Sequence, residues 1–179
     1  RSAPGFVYLG PSPTLSPTSS TLNFPVADNR ANGVTVALAG DGSLSATYIS
    51  GTGGSTHLVF DVTGYFVPDG SGATYVPLTP ARLVDTRSGN GLAGPFGANT
   101  PRTFAVSGRG GVPATAVAVT GNLTVTNQTL PGFVYLGPSP TASPTSSTLN
   151  FPVADNRANG VTVALASDGS LSATYVTDR

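Results

Sequence analysis

The sequence predicts an all-β protein, a β-sandwich of jelly-roll-like arrangement built from tandem repeat modules, and three observations carry that expectation. Gly fills 23 and Pro 16 of the 179 positions, which cuts the chain into pieces too short for a 3.6-residue period to persist. The residues between them are mostly Val, Thr, Ser, Ala, Leu, Phe and Tyr, the mixture that suits a pleated, half-buried surface. Finally, one long stretch occurs twice, and self-similarity at a fixed shift marks a modular architecture.

The duplicated stretch covers residues 4–49 and 131–176, a shift of 127, with 43 of 46 positions identical. The copies differ only at Leu15 and Ala142, Gly40 and Ser167, and Ile49 and Val176. With the duplicated piece named B (1–50 and 131–179), residues 51–75 named C and residues 76–130 named A, the chain reads B–C–A–B′. An array with a period of about 127 residues would run A–B–C–A–B–C. Residues 1–75 are then expected to be the C-terminal part of one module, and residues 76–179 the N-terminal part of the next, with one B lacking its neighbours. Exposed strand edges template pairing with other chains, so the open end of A–B′ in one chain is expected to accept strands from the B–C end of the next, in head-to-tail assembly.

In chain order, 5–9 and 20–26 read as strands on either side of Pro-Ser-Pro-Thr-Leu-Ser-Pro-Thr-Ser-Ser (11–20), a stiff extended loop because proline fixes φ. Phe24-Pro25 marks 20–26 as an edge strand. Val34, Val36 and Leu38 alternate with small residues up to Gly40-Asp41-Gly42, and Leu44, Ala46 and Tyr48 alternate on the way back. Period-two alternation about such a turn predicts a hairpin, repeated from Val161 to Val176 about Ser167-Asp168-Gly169. Further strands are expected at 56–67, 81–86, 102–107, 115–126, 132–136 and 147–153. Asp69-Gly70-Ser71-Gly72 is a flexible linker between C and A.

Charge is sparse, eight Arg against eight Asp with no Lys and no Glu. The zero net charge offers no footprint for nucleic acid or an anionic membrane and little self-repulsion against association. No apolar run is long enough to span a bilayer, so no membrane insertion is expected. Without Cys, neither disulfides nor thiolate metal sites arise, and the absence of Lys excludes a Lys–Asn cross-link. Cys, Met and Trp are all missing, which removes the most oxidisable side chains and suits life outside the cell.

Candidate sites are few. Arg82-Leu83-Val84-Asp85-Thr86-Arg87 gathers three of the sixteen charges. As a strand it puts Asp85 and Arg87 on one face and Arg82 on the other. The cluster reads either as an anion or glycan site built on planar arginine donors, or as an ion pair fixing the loop at 88–101. His57 is the sole histidine and has neither a nucleophile motif nor an orienting acid beside it. The Asp residues sit mostly in turns, where turn chemistry explains them better than paired-carboxylate hydrolysis. Asp28-Asn29 and Asp155-Asn156 lack a calcium-loop signature, and Gly108-Arg109-Gly110-Gly111-Val112-Pro113 has no following helix to cradle a phosphate. No catalytic, cofactor or metal residue is therefore assigned, and the chain is not expected to be an enzyme. Asn122 and Asn127 head glycosylation sequons, and the Ser/Thr-rich loops offer O-linked positions.

Those segments, together with Asn122-Leu123-Thr124-Val125-Thr126, Leu149-Asn150-Phe151 and Asp61-Val62-Thr63-Gly64-Tyr65-Phe66, resemble a bacterial secreted tandem-repeat β module. The resemblance covers nearly the whole chain, permuted at its ends. It implies a module order A, B, C, a cell-surface location, and occurrence in arrays or beside secreted hydrolases, with no catalytic residues to carry over. The expected function is thus a structural subunit of an extracellular filament or surface layer, its partners being copies of itself. The alternative is a carbohydrate- or cell-wall-binding module of a larger secreted protein, with cell-surface polysaccharide as partner and Tyr8, Tyr65 and Tyr75 as the platform.

Overall fold

The computed structural model describes residues 3–67 and 69–177, which form nine β-strands and no helix. In chain order these are β1 (Gly5–Gly10), β2 (Leu22–Phe24), β3 (Ser45–Ser50), β4 (Arg102–Ala105), β5 (Ala118–Val125), β6 (Gly132–Gly137), β7 (Leu149–Phe151), β8 (Arg157–Ala164) and β9 (Ser170–Thr177). They build three antiparallel sheets of order β2-β1-β3, β4-β9-β6-β7 and β5-β8. The protein is all-β.

The two copies of B fold alike where they rely on themselves. β1 pairs with β3 from Gly5↔Ser50 to Gly10↔Ser45, and β6 pairs with β9 from Gly132↔Thr177 to Gly137↔Ser172, the same register displaced by one repeat. The proline-rich loops are pinned identically: Thr47 Oγ1 donates to Thr14 O at 2.8 Å, and Thr174 Oγ1 to Thr141 O at 2.7 Å. Leu9 N–H donates to Thr21 Oγ1 and Leu136 N–H to Thr148 Oγ1. Each loop is held by hydroxyls of the strands it crosses, which a prolyl backbone short of N–H groups requires.

They part where A contributes. β4 lies on β9 from Arg102↔Ala173 to Ala105↔Ser170, and β5 lies on β8 over eight residues from Ala118↔Ala164 to Val125↔Arg157. The β5–β8 pair covers the four-stranded sheet, and the core lies between the two layers. One cluster joins Val134, Leu149, Phe151 and Ala173 to Leu123 and Val125, and the other joins Val106, Val112 and Leu171 to Val119, Val163 and Leu165. The Asn99 N–H bond to Tyr175 O and the Arg102 bonds to the carbonyls of Ala93, Gly94 and Pro95 tie the loop before β4 to this core.

In the first copy no described strand fills either place. Residues 30–37 have the sequence of β8, yet form no strand and no backbone–backbone hydrogen bond with a described residue. Leu165 packs in the core and donates its N–H to Val117 O, whereas its counterpart Leu38 is 60% exposed.

Three expectations are corrected. The turns at 39–43 and 166–170 form, with Ala39 N–H donating to Ser43 O and Ala166 N–H to Ser170 O, but no hairpin ladder follows either. β8 and β9 leave their turn for different sheets, β8 pairing with β5 and β9 with β6. Residues 56–67 form no strand; Leu58, Val59, Phe60, Val62, Tyr65 and Phe66 are all exposed. β-Branched and aromatic residues give the propensity for a strand, but a strand also needs an edge to pair with. Segment 81–86 contributes only a bridge between Asp85 and Asn90, since the chain turns back at Asp85.

Candidate functional site

A polar network joins the two copies of B. In each copy an alanine in the left-handed region, Ala27 (φ 56°) and Ala154 (φ 55°), turns the chain just before an Asp-Asn-Arg triplet. Gln128 braces the second turn, its Nε2 donating to Pro152 O at 3.1 Å and to Asp155 O, while Ala154 N–H donates to Gln128 O. Each Asp then accepts from the Arg two residues on: Arg30 Nε to Asp28 Oδ2 at 2.9 Å, and Arg157 Nε to Asp155 Oδ2 at 2.8 Å.

Arg157 also crosses to the first copy, with Nη2 on Asp28 Oδ2 at 2.7 Å and Nη1 on Asn29 O at 2.9 Å. Gly33 N–H donates to Asn159 Oδ1 at 2.6 Å, and Asn159 Nδ2 donates to Thr148 O. A Cβ at Gly33 would lie 1.9 Å from Gly160 O, so the close approach of the copies requires glycine there. Burial by itself would raise the Asp28 carboxyl, but the Arg157 and Arg30 hydrogen bonds and charges outweigh it and hold its pKa below 3.8. Burial likewise opposes the charge on Arg157, and Asp28 and Asp155 overcome it and raise its pKa.

A crevice of about 250 Å³ opens beside these groups, bordered by Arg30 and Ala31 on one side and by Leu149, Asp155 and Arg157 on the other. Arg30, Arg157 and Asp155 line it, and Asp28, bonded to both arginines, balances the remaining positive charge, which makes it a poor anion trap. Its chemistry is that of a contact between like copies of a motif.

The expected cluster at 82–87 does assemble, with a correction. Arg82 is not on the opposite face: its Nη1 meets Asp85 Oδ2 at 3.0 Å, because the chain turns rather than continuing as a strand. Arg87 grips Asp85 with two prongs, Nε to Oδ1 at 2.9 Å and Nη2 to Oδ2 at 2.8 Å, and adds its own N–H. These Arg87 bonds above all hold the Asp85 carboxyl well below the usual carboxylate range. Asn90 Nδ2 donates to Arg82 O, and Arg109 Nη2 donates to Asn90 Oδ1. The geometry is that of a loop tied to the Gly-rich turn at 108–112, where Gly108 N–H donates to Val112 O.

The remaining candidates are dispersed. His57 is exposed; Thr56 Oγ1 donates to its backbone carbonyl at 3.2 Å, and no described carboxylate or hydroxyl side chain is bonded to its imidazole. Tyr65 and Tyr75 are exposed on the unpaired stretch, Tyr8 is half-buried in β1, and no ring contact joins the three. Among the described residues no three His, Cys, Asp or Glu side chains converge as a metal site, and no helix is long and apolar enough to cross a membrane. The inter-copy contact escaped the sequence reading; its only signal was the repeated Asp-Asn-Arg triplet. Comparison with protein-family models, with curated proteins and with solved structures finds no match to the chain.

Proposed function

We propose that the protein is a structural subunit of an extracellular filament or surface layer that joins copies of itself head-to-tail by β-strand complementation. One observation carries the reading. The octapeptide Arg-Ala-Asn-Gly-Val-Thr-Val-Ala is a strand at 157–164, where β5 pairs with it, and is unpaired at 30–37. A sequence able to be a strand, and left without one beside it, is an acceptor.

The donor available without breaking a ladder is segment 56–67 of a second copy, whose apolar side chains are uncovered in its own chain. Extracellular location follows from the resemblance to secreted repeat modules and from the missing oxidisable side chains. Sedimentation and light scattering across a concentration series, with negative-stain microscopy, test the proposal. Growth of linear oligomers that an excess of synthetic peptide 56–67 shortens is expected; a strict monomer at every concentration overturns it.

A second reading has one observation in its favour, the exposure of Tyr65 and Tyr75. If the protein instead binds cell-wall polysaccharide, retention on an insoluble glycan falls in Tyr65→Ala and Tyr75→Ala chains and is untouched by peptide 56–67.

A further inference from the structure

We propose that the contact between the two copies of B recurs between chains, Arg30 of one protein molecule closing on Asp155 of the next. The inference rests on the self-association reading and names the contact that sets its direction. Both copies carry the same residues throughout the junction: Asp28 and Asp155, Asn29 and Asn156, Arg30 and Arg157, Asn32 and Asn159, Gly33 and Gly160. Bonds within each copy also match. Both arginines donate Nε to their own Asp, and Asn32 donates Nδ2 to Thr21 O at 2.7 Å as Asn159 does to Thr148 O at 2.6 Å.

Between copies, however, the bonds run one way. The second copy supplies Arg157 and the Asn159 Oδ1 atom; the first supplies Asp28, the Asn29 carbonyl and the Gly33 N–H. Arg30 therefore donates only within its own copy, to Asp28 and, at 3.3 Å, to Asn23 O. The Asp155 carboxylate likewise accepts only from Arg157 of its own copy among the described residues. Exposure follows the same division. The side chains of the joined pair, Asp28 and Arg157, are 15% and 11% exposed, while those of Arg30 and Asp155 are 39% and 47% exposed. Arg30 and Asp155 border the same crevice without forming an ion pair in the chain.

A contact whose halves are used once inside a molecule and left over once more is heterologous, and repeating it produces a row of molecules rather than a closed dimer. The occupant is a second copy, because the geometry that fills Asp28 is supplied by this chain's own sequence. In a surface with so few charges, one matched pair also sets polarity and register.

Charge exchange tests it on the full chain. Arg30→Asp places two acidic groups at the contact, and Asp155→Arg places two basic ones. Each variant alone is expected to need a concentration about 30-fold or more higher for half-association. An equimolar mixture restores the wild-type level, since each variant then meets its complement. Circular dichroism checks that each is folded; if a reversal unfolds the chain, Arg30→Gln and Asp155→Asn replace it, with the weakened association still required. Wild-type-like association of the folded variants, or a mixture no better than its parts, overturns the Arg30–Asp155 contact and leaves self-association standing. A monomeric wild-type chain removes self-association itself.

Discussion

Leu38 and Leu165 occupy the same place in two copies whose nearest difference is Gly40 against Ser167, and the structure assigns them different energies. Leu165 packs among Val106, Val112 and Leu171, while Leu38 is 60% exposed. Truncating a core leucine to alanine costs about 2–5 kcal/mol, and a half-buried one belongs at the lower end, about 2–3 kcal/mol. For a chain of this size each kcal/mol lowers the melting temperature by about 2–4 °C, so Leu165→Ala should melt roughly 4–12 °C early. Leu38→Ala removes nothing from the core and should stay within about 0.5 kcal/mol of wild type. Thermal unfolding followed by circular dichroism, in solution dilute enough for monomers, compares the two. At concentrations where copies associate the order should invert, Leu38→Ala weakening assembly because its side chain is then covered. Equal melting shifts for the two variants would refute the claim that only the second copy is completed by strands from A.

Acid should loosen the junction. The Asp28 pKa is lower in the folded chain than its ordinary value of 3.8, so its contribution is present above that value and is lost as the pH falls through the folded one. Asp41, Asp69, Asp85 and Asp168 are lowered too, so the diagnostic is comparative: Asp28→Asn should lose less stability than wild type between about pH 5 and pH 2 in titrations followed by denaturant melts. Chymotrypsin should cut first after Phe60, Tyr65 or Phe66, where the exposed backbone forms no backbone–backbone hydrogen bond with a described residue, and assembly should protect those sites, as mass spectrometry of the fragments would reveal. Ala154→Gly should raise the melting temperature, since a left-handed alanine costs about 1–2 kcal/mol and glycine adopts that φ freely, at some expense in unfolded-chain entropy.

Strands that find a partner nearby in sequence or within A were readable from alternation and turn residues: β1, β4, β5, β6 and β9 lie within a few residues of their expected places. The failures have one physical origin. Residues 34–38 alternate as β8 does and 56–67 are rich in β-branched and aromatic residues, but hydrogen bonding in a sheet involves two segments, and one segment's pattern cannot report whether the other is present. The expected hairpins failed for the related reason that a tight turn reverses the chain without deciding which edge each arm joins. Arg82 was misplaced because a face rule holds only while the strand continues. The Asp28–Arg157 contact spans 129 residues, and no local spacing encodes it.

Which strand fills the empty edge is a question of differences. If β5 of a second copy moved onto residues 30–37, it would abandon an identical octapeptide at 157–164, so the ladder gained equals the ladder lost and the entropy of association remains as a cost. Segment 56–67 abandons nothing when it pairs, and covering side chains such as Val59, Phe60 and Tyr65 adds apolar burial at about 25 cal/mol per Å². Donation of the unpaired segment therefore outweighs exchange of a paired one. The Arg30–Asp155 contact supplies what backbone pairing lacks, a preference for one direction and register, because ladder bonds alone tolerate slippage between polar, small-residue strands.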